Sequence, residues 1–337
     1  MNTRKNTLPV IATVLLGMNV QNAVAKDIFY YLGSGMIQVI DGDTDAIVAD
    51  IAVDGWIRAA QFSADKKFLY VVAKRHLVHK IDLAANEVVS TVDINRGGWE
   101  RFIYGFELGA NGKSAYVNLL ARRTEKGEAV VAEPMLAEID LDNGRILRDI
   151  EVPWGSATLT SVKNASSIFV VGKDIVKVDV SGKEMKVTGT YPMFEKQWNF
   201  LPFWSYTMEN GGVFMANYYT PEIMGLLSID THTGEIVDTP LDGPPVFAYS
   251  VIRSPDTKKA YAVMDDLTVI DLQSRSYGPI IPVPTGTCYG INVSSDGKKI
   301  YVSGAGATTT IFSAESLKPI KVLQMETDGM DIKRLTF

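Results

Sequence analysis

Cysteine is all but missing from this chain: Cys288 is the only one among 337 residues. A lone thiol makes no intramolecular disulfide, no thiolate zinc cluster and no c-type haem attachment. Beside Tyr289, Cys288 reads as a small buried hydrophobe rather than a nucleophile. Histidine is nearly as scarce. His76, His79 and His232 lie at spacings that form no metal-ligand motif. His79 alternates with Val78 and reads as packing, His232 sits in a Thr-His-Thr-Gly-Glu turn, and His76 stands alone. No G-x-S-x-G elbow or phosphate-loop signature occurs, and the runs Gly33–Met36 and Gly304–Thr309 are too short and turn-like for a dinucleotide site. Asp265 and Asp266 could join Glu222 around a cation, although surface turns are the ordinary home of such acids. Sustained amphipathic helix patterns are absent too. Past the first residues, no segment approaches the roughly 20 apolar residues of a membrane-spanning helix.

What is present begins with Arg4 and Lys5, an apolar run Thr7–Val20, and Ala23-Val24-Ala25, the pattern of a cleavable export signal. We expect residues 1–25 to be removed and 26–337 to form one soluble, periplasmic domain. Loss of Arg4 and Lys5 takes the formal net charge from −6 to −8. That balance argues against nucleic acid, which needs clustered Lys and Arg to release counterions.

A short phrase then repeats along the chain. Two residues and an acid end at Asp41, Asp82, Asp140, Asp179, Asp230 and Asp271, and a degenerate copy, Thr-Ile-Phe, ends at Phe312. The gaps are 41, 58, 39, 51, 41 and 41 residues, one period with two insertions. Each copy parses into four short β-branched or aromatic runs separated by Asp, Gly, Asn and Lys turns. The pattern predicts an all-β, seven-bladed β-propeller of four-stranded antiparallel blades. Three runs at the start of the mature chain and one left over at Met330–Phe337 predict a ring closed by pairing of the two termini.

Alternating strand direction sorts the loops onto two faces. Tight hairpin turns occupy one. The other receives the inter-blade connections and two insertions, Leu119–Pro134 and Asn217–Ile223. All five tryptophans, Trp56, Trp99, Trp154, Trp198 and Trp204, fall in connections, and Tyr191–Trp204 holds six aromatic residues in fourteen. Loops with so much apolar surface either fold back as a plug or wait for a partner. Twelve residues before Tyr70, Tyr116, Tyr261 and Tyr301 stand Arg58, Tyr104, Tyr249 and Tyr289, placed near the tops of innermost strands. They either pack between blades or line a channel mouth. The candidate partner-binding and cavity-wall residues are Trp56, Trp99, Trp154, Phe194, Trp198, Phe200, Phe203, Trp204, Tyr218, Tyr219, Tyr249 and Tyr289; no catalytic residue or metal ligand is assigned.

The ending Cys288–Met325 with Ile332–Phe337, the run Gly211–Thr220 and the aromatic connection together resemble the β subunit of quinohemoprotein amine dehydrogenase. More distantly the chain is similar to the methylamine dehydrogenase heavy chain and to YVTN-like surface propellers. The resemblance implies a three-chain periplasmic oxidoreductase acting on primary amines. A small γ subunit would carry cysteine tryptophylquinone and an α subunit two c-type haems, with no cofactor on this chain. The propeller would hold the γ subunit and wall the substrate cavity. Two rivals remain from the residues alone: a stand-alone binding propeller, and a metal-dependent lactonase-like hydrolase.

Overall fold

A computed structural model describes residues 25–162, 167–200 and 212–337. The export signal except Ala25 lies outside them, as do Phe203 and Trp204. The described chain is built of antiparallel strands with no α-helix among them. Turn chemistry explains why. In five third-to-fourth hairpins the repeated acid closes an Asx turn: Asp82 Oδ1 accepts the amides of Ala84 and Ala85 at 2.9 and 3.0 Å. Asp41, Asp140, Asp230 and Asp271 each accept two following amides in the same way. The repeated phrase is thus a turn device, which competes with helix and fixes where the hairpin reverses.

The degenerate copy shifts by one residue. Lys299 pairs with Ser313, as Lys259 pairs with Asp271. Ser313, not Phe312, therefore stands at the acid's place, and its hydroxyl accepts the Ser316 amide at 3.1 Å.

Among the described residues the strands form six hydrogen-bonded sheets rather than the seven expected. A six-stranded sheet runs from Gly329–Thr336 through Asp27–Asp41, Ala46–Phe62, Phe68–Ala73 and Leu77–Asp82 to Glu87–Asp93. Two predicted blades are continuous here because Ala46–Phe62 pairs along one part with Asp27–Asp41 and along the other with Phe68–Ala73. A three-stranded sheet, Val213–Tyr219, Met224–Asp230 and Ile236–Pro240, follows residues 201–211. The expected terminal pairing is present, from Asp27 opposite Thr336 to Gly33 opposite Gly329.

First strands of successive sheets touch side by side, Ala46–Phe62 with Glu100–Leu108 and Cys288–Val293 with Gly329–Thr336. The architecture is an all-β propeller of four-stranded antiparallel blades, its apolar core lying between sheets. Polar ties cross those layers. Tyr301 donates to Asp45 at 2.6 Å and Lys299 to the same carboxylate at 2.7 Å, joining last sheet to first. Arg148 binds Glu138 at 2.6 Å and the Val180 carbonyl at 2.8 Å. On three adjacent inner strands, Gln61 and Ser161 both donate to Oε1 of buried Glu107.

Two outcomes follow from these contacts. Asp82→Ala and Asp271→Ala should each lower unfolding free energy by about 1 kcal/mol, the net worth of a hydrogen bond or two. Ser313→Asp should raise it, read by urea unfolding. Burial also pushes the Glu107 carboxyl up to about 7, against roughly 4.3 in an unfolded chain. Folding therefore takes up a proton between those values, so stability is full below about pH 4 and falls as pH rises through 7, by on the order of 3 kcal/mol. Glu107→Gln should remove that decline. A wild-type-minus-variant difference in urea midpoint that stays constant from pH 5 to 8 would refute the assignment.

Candidate functional site

The face of inter-blade connections is assembled from tethered loops. In Tyr191–Phe200, Met193 is fully buried as an anchor. Its carbonyl accepts the amides of Lys196 and Trp198 at 3.1 and 3.0 Å. Gln197 takes φ 59° to make the reversal. This compact turn stacks Trp198 on Tyr218, with centroids 4.1 Å apart and planes at 17°. Lys196 Nζ lies 4.4 Å from the Trp198 ring, which it covers from the solvent side. Phe194 stays 60% exposed, held by its amide to Asp174 at 2.9 Å, with Lys173 Nζ 3.7 Å from its ring. Phe200 packs partly into the core beneath. Over Tyr191–Phe200 the connection is therefore neither plug nor loose loop: Met193 and Trp198 fix it, and Phe194 is presented outward.

Tyr218 and Tyr219, expected on the wall, are buried supports. Asn217-Tyr218-Tyr219 ends a strand, and the loop is only Thr220–Ile223, where Thr220 Oγ1 accepts the Glu222 and Ile223 amides. Tyr219 Oη accepts the Ala248 amide at 2.6 Å, and Asn217 donates to the Ala248 carbonyl at 2.8 Å. This clamp pushes Phe247 outward, 58% exposed and 5.1 Å from the Tyr219 ring. Sequence reasoning missed Phe247. Its signal was Gly243-Pro244-Pro245 just before it, a stiff lead-in that leaves a large apolar residue little room to fold back. Tyr249 and Tyr289, half-buried, form a neighbouring pair at 5.2 Å.

The other tryptophans belong elsewhere on this face. Leu119–Pro134 is mostly a β-hairpin that prolongs Ser114–Glu125 and returns as Glu128–Val131, turning at Lys126 and Gly127, both with positive φ. Trp99 lies beneath the Arg123 guanidinium at 4.5 Å, and Trp154, 51% exposed, donates to Glu133 at 2.8 Å. Both thus flank the projecting hairpin and not the Trp198 cluster. Trp56 lies half-buried within the continuous strand Ala46–Phe62. Arg58 lies within Ala46–Phe62 and Tyr104 midway along Glu100–Leu108, and Arg75 donates to Tyr104 Oη at 3.1 Å.

Reactive side chains are occupied with structure. Burial pushes the Cys288 thiol up to about 12. His79 bonds Thr91 at 2.8 Å with its pKa lowered by burial, His76 lies 3.1 Å from Asp93, and His232 sits in the Asp230 turn. Asp265 accepts the Thr287 hydroxyl at 2.7 Å. Among the described residues no three His, Cys, Asp or Glu side chains gather as a metal site.

No protein-family model matches the sequence, and no curated protein matches it. Solved structures share the fold. Hydrazine synthase of Kuenenia stuttgartiensis superposes with TM-score 0.58 at 15% identity, covering 87% of this chain and 90% of that one. Dihydro-heme d1 dehydrogenase NirN gives 0.59 at 15%, covering 91% and 74%. A putative 6-phosphogluconolactonase of Bacteroides fragilis gives 0.62 at 13%, covering 92% and 98%. At such identities the likeness concerns the propeller alone.

The exposed and buried aromatics separate two roles. Phe194→Ala and Phe247→Ala should each change the chain's unfolding free energy by no more than about 0.5 kcal/mol, as exposed substitutions do. Trp198→Ala, by removing a stacked ring, should cost the isolated chain about 2 kcal/mol or more. Urea unfolding of the three variants reads the difference, and equal losses would show Phe194 and Phe247 to be core.

Proposed function

We propose that the chain is the cofactor-free propeller subunit of a periplasmic primary-amine dehydrogenase. It holds a small quinone-bearing chain on its connection face, with a dihaem cytochrome c as third subunit. The reading is supported above all by Phe194 and Phe247, large rings more than half exposed on anchored loops. Obligate interfaces resemble a core cut in half and favour such rings. Tyr218, Tyr219 and Trp198 serve as the rigid bed beneath them, and Tyr249 and Tyr289 extend the surface. Preorganised aromatic anchors lose little entropy on docking.

The ring itself is proposed to contain seven blades, two of them sharing the six-stranded sheet. The 15-residue strand Asp27–Asp41 would span about 50 Å if extended. Yet the Gly42 amide donates to the Asp27 carbonyl at 2.9 Å, and Gly35 between them has φ 79°. Such a strand is a hairpin. Counting its two arms, and the two stretches of Ala46–Phe62, gives that sheet two blades' worth of strands. An exposed apolar residue stands seven places after the turn residue at Val48, Val89, Leu147, Val237 and Ile320, in five of the seven proposed blades, and Val48 and Val89 both lie in that sheet.

The test is biochemical. The purified chain alone should reduce no artificial electron acceptor when given a primary amine, and activity should appear only on co-expression with the quinone and haem chains. In that complex Phe194→Ala should weaken assembly by about 2 kcal/mol, the loss typical of an interface hot spot. Amine-dependent dye reduction by the isolated chain would overturn the proposal. Failure of any small cofactor-bearing chain to copurify would instead favour an independent binding propeller.

A further inference from the structure

Half of the chain's twelve arginines, Arg58, Arg75, Arg96, Arg101, Arg122 and Arg123, fall between positions 58 and 123. Three of them meet at the root of the projecting hairpin. Pairing sets Arg101 opposite Ala121 and Glu100 opposite Arg122. Alternation then puts Trp99, Arg101 and Arg123 on one side, with Glu100 and Arg122 on the other. Arg96 joins the first group, because the tight turn through Gly97 and Gly98 bridges it back to Trp99.

The charges there are not balanced within the group. Arg122 pairs with Glu100 and Arg123 with Glu125, both exposed ion pairs. Among the described residues, no carboxylate pairs with Arg96 or Arg101. Arg101 donates instead to the Ile94 carbonyl, and its pKa is lowered first by burial and then by the like charge of Arg96. Arg123 lies over Trp99, 4.5 Å from its ring centre, with its buried Nε unpartnered. Crowded like charges weaken the free fold, and an anion from outside would relieve them.

We propose that Arg96, Arg101 and Arg123 around Trp99 dock an acidic segment of a partner protein, laid along the hairpin. Planar guanidiniums match carboxylates bidentately, and the Arg123–Glu125 pair is exposed enough for an incoming carboxylate to exchange with it. Discrete carboxylates also fit better than a phosphate backbone. Glu125 and Glu128 stand on the Arg123 side of the hairpin, and a uniform line of phosphates would meet them as well. The site is separate from the Phe194 and Phe247 surface and stands whether or not the amine dehydrogenase reading does.

The experiment uses the whole mature chain and a fluorescent peptide of about twelve residues in which glutamates alternate with serines, followed by anisotropy. Binding should be saturable and weaken at least about tenfold between 50 and 200 mM salt, as screened charge contacts do. Arg96→Glu and Arg123→Gln should each weaken it by a similar factor. Arg145→Glu, in an exposed turn of the opposite face, should leave it within about twofold, since a distant surface charge acts weakly through salt. Arg96→Gln should also keep or raise the unfolding midpoint, whereas a purely structural arginine would lower it. No binding at low salt, equal weakening by Arg145→Glu, a lowered midpoint in Arg96→Gln, or equally tight binding of oligodeoxythymidine would each overturn the proposal.

Discussion

The ring depends on one closure, and that closure converges on Asp27. Its carboxylate accepts the Thr336 hydroxyl at 2.6 Å and the Ser295 amide at 2.7 Å, and Arg334 approaches to 3.7 Å. These partners come from the last strand and from the neighbouring sheet. They tie together residues at the two ends of the described chain, a separation of 309 positions. Loop-closure entropy grows only slowly with such length. A buried carboxylate whose lone pairs are met by several donors can therefore hold the joint, while losing one donor would leave charge unsatisfied in the interior. Phe29 stacked on Tyr301 at 3.8 Å seals the same seam with apolar area. Every connection loop is positioned relative to its neighbours only because this seam is shut.

Much of this was legible along the chain, because it is local. The Asp turns, the β-branched runs and the terminal half-blades are short-range statements about what the backbone can do, and the sheets follow them. The sheet count was less legible. A periodic sequence marks hairpins, but it does not say whether Ala46–Phe62 breaks between two blades or runs through without a turn. Gly55, with φ 101°, lets the backbone change direction there without ending the strand. The degenerate seventh copy failed for a related reason: Ser313 does the acid's work with a hydroxyl, so matching residue types put the phrase one position early.

On the connection face the concentration of aromatics was legible in the sequence, and their arrangement only in part. Burial is a tertiary property. Asn217-Tyr218-Tyr219 looked like loop because Thr220-Pro221 follows, yet a strand partner across the sheet draws both rings inward. Phe247 is the converse, an unremarkable position until Tyr219 and Asn217 grip Ala248 beside it. The tie of Gln61, Ser161 and Glu107 had no sequence signal at all, since each is an ordinary strand residue and only ring geometry brings three inner strands into register.

The same geometry separates the face into sectors with different physics. Around Phe194 and Phe247 large rings are exposed over buried rings, with Lys173 and Lys196 against Phe194 and Trp198, so contact there would be driven mainly by area removed from water. Around Trp99 the exposed groups are guanidiniums, whose attraction reaches about a Debye length and fades with ionic strength. A partner meeting both would be steered by the second and retained by the first. Both sectors sit on loops carried by the one closed ring, so the packing of its blades, held at the seam by Asp27, sets the distance at which a partner would have to meet them.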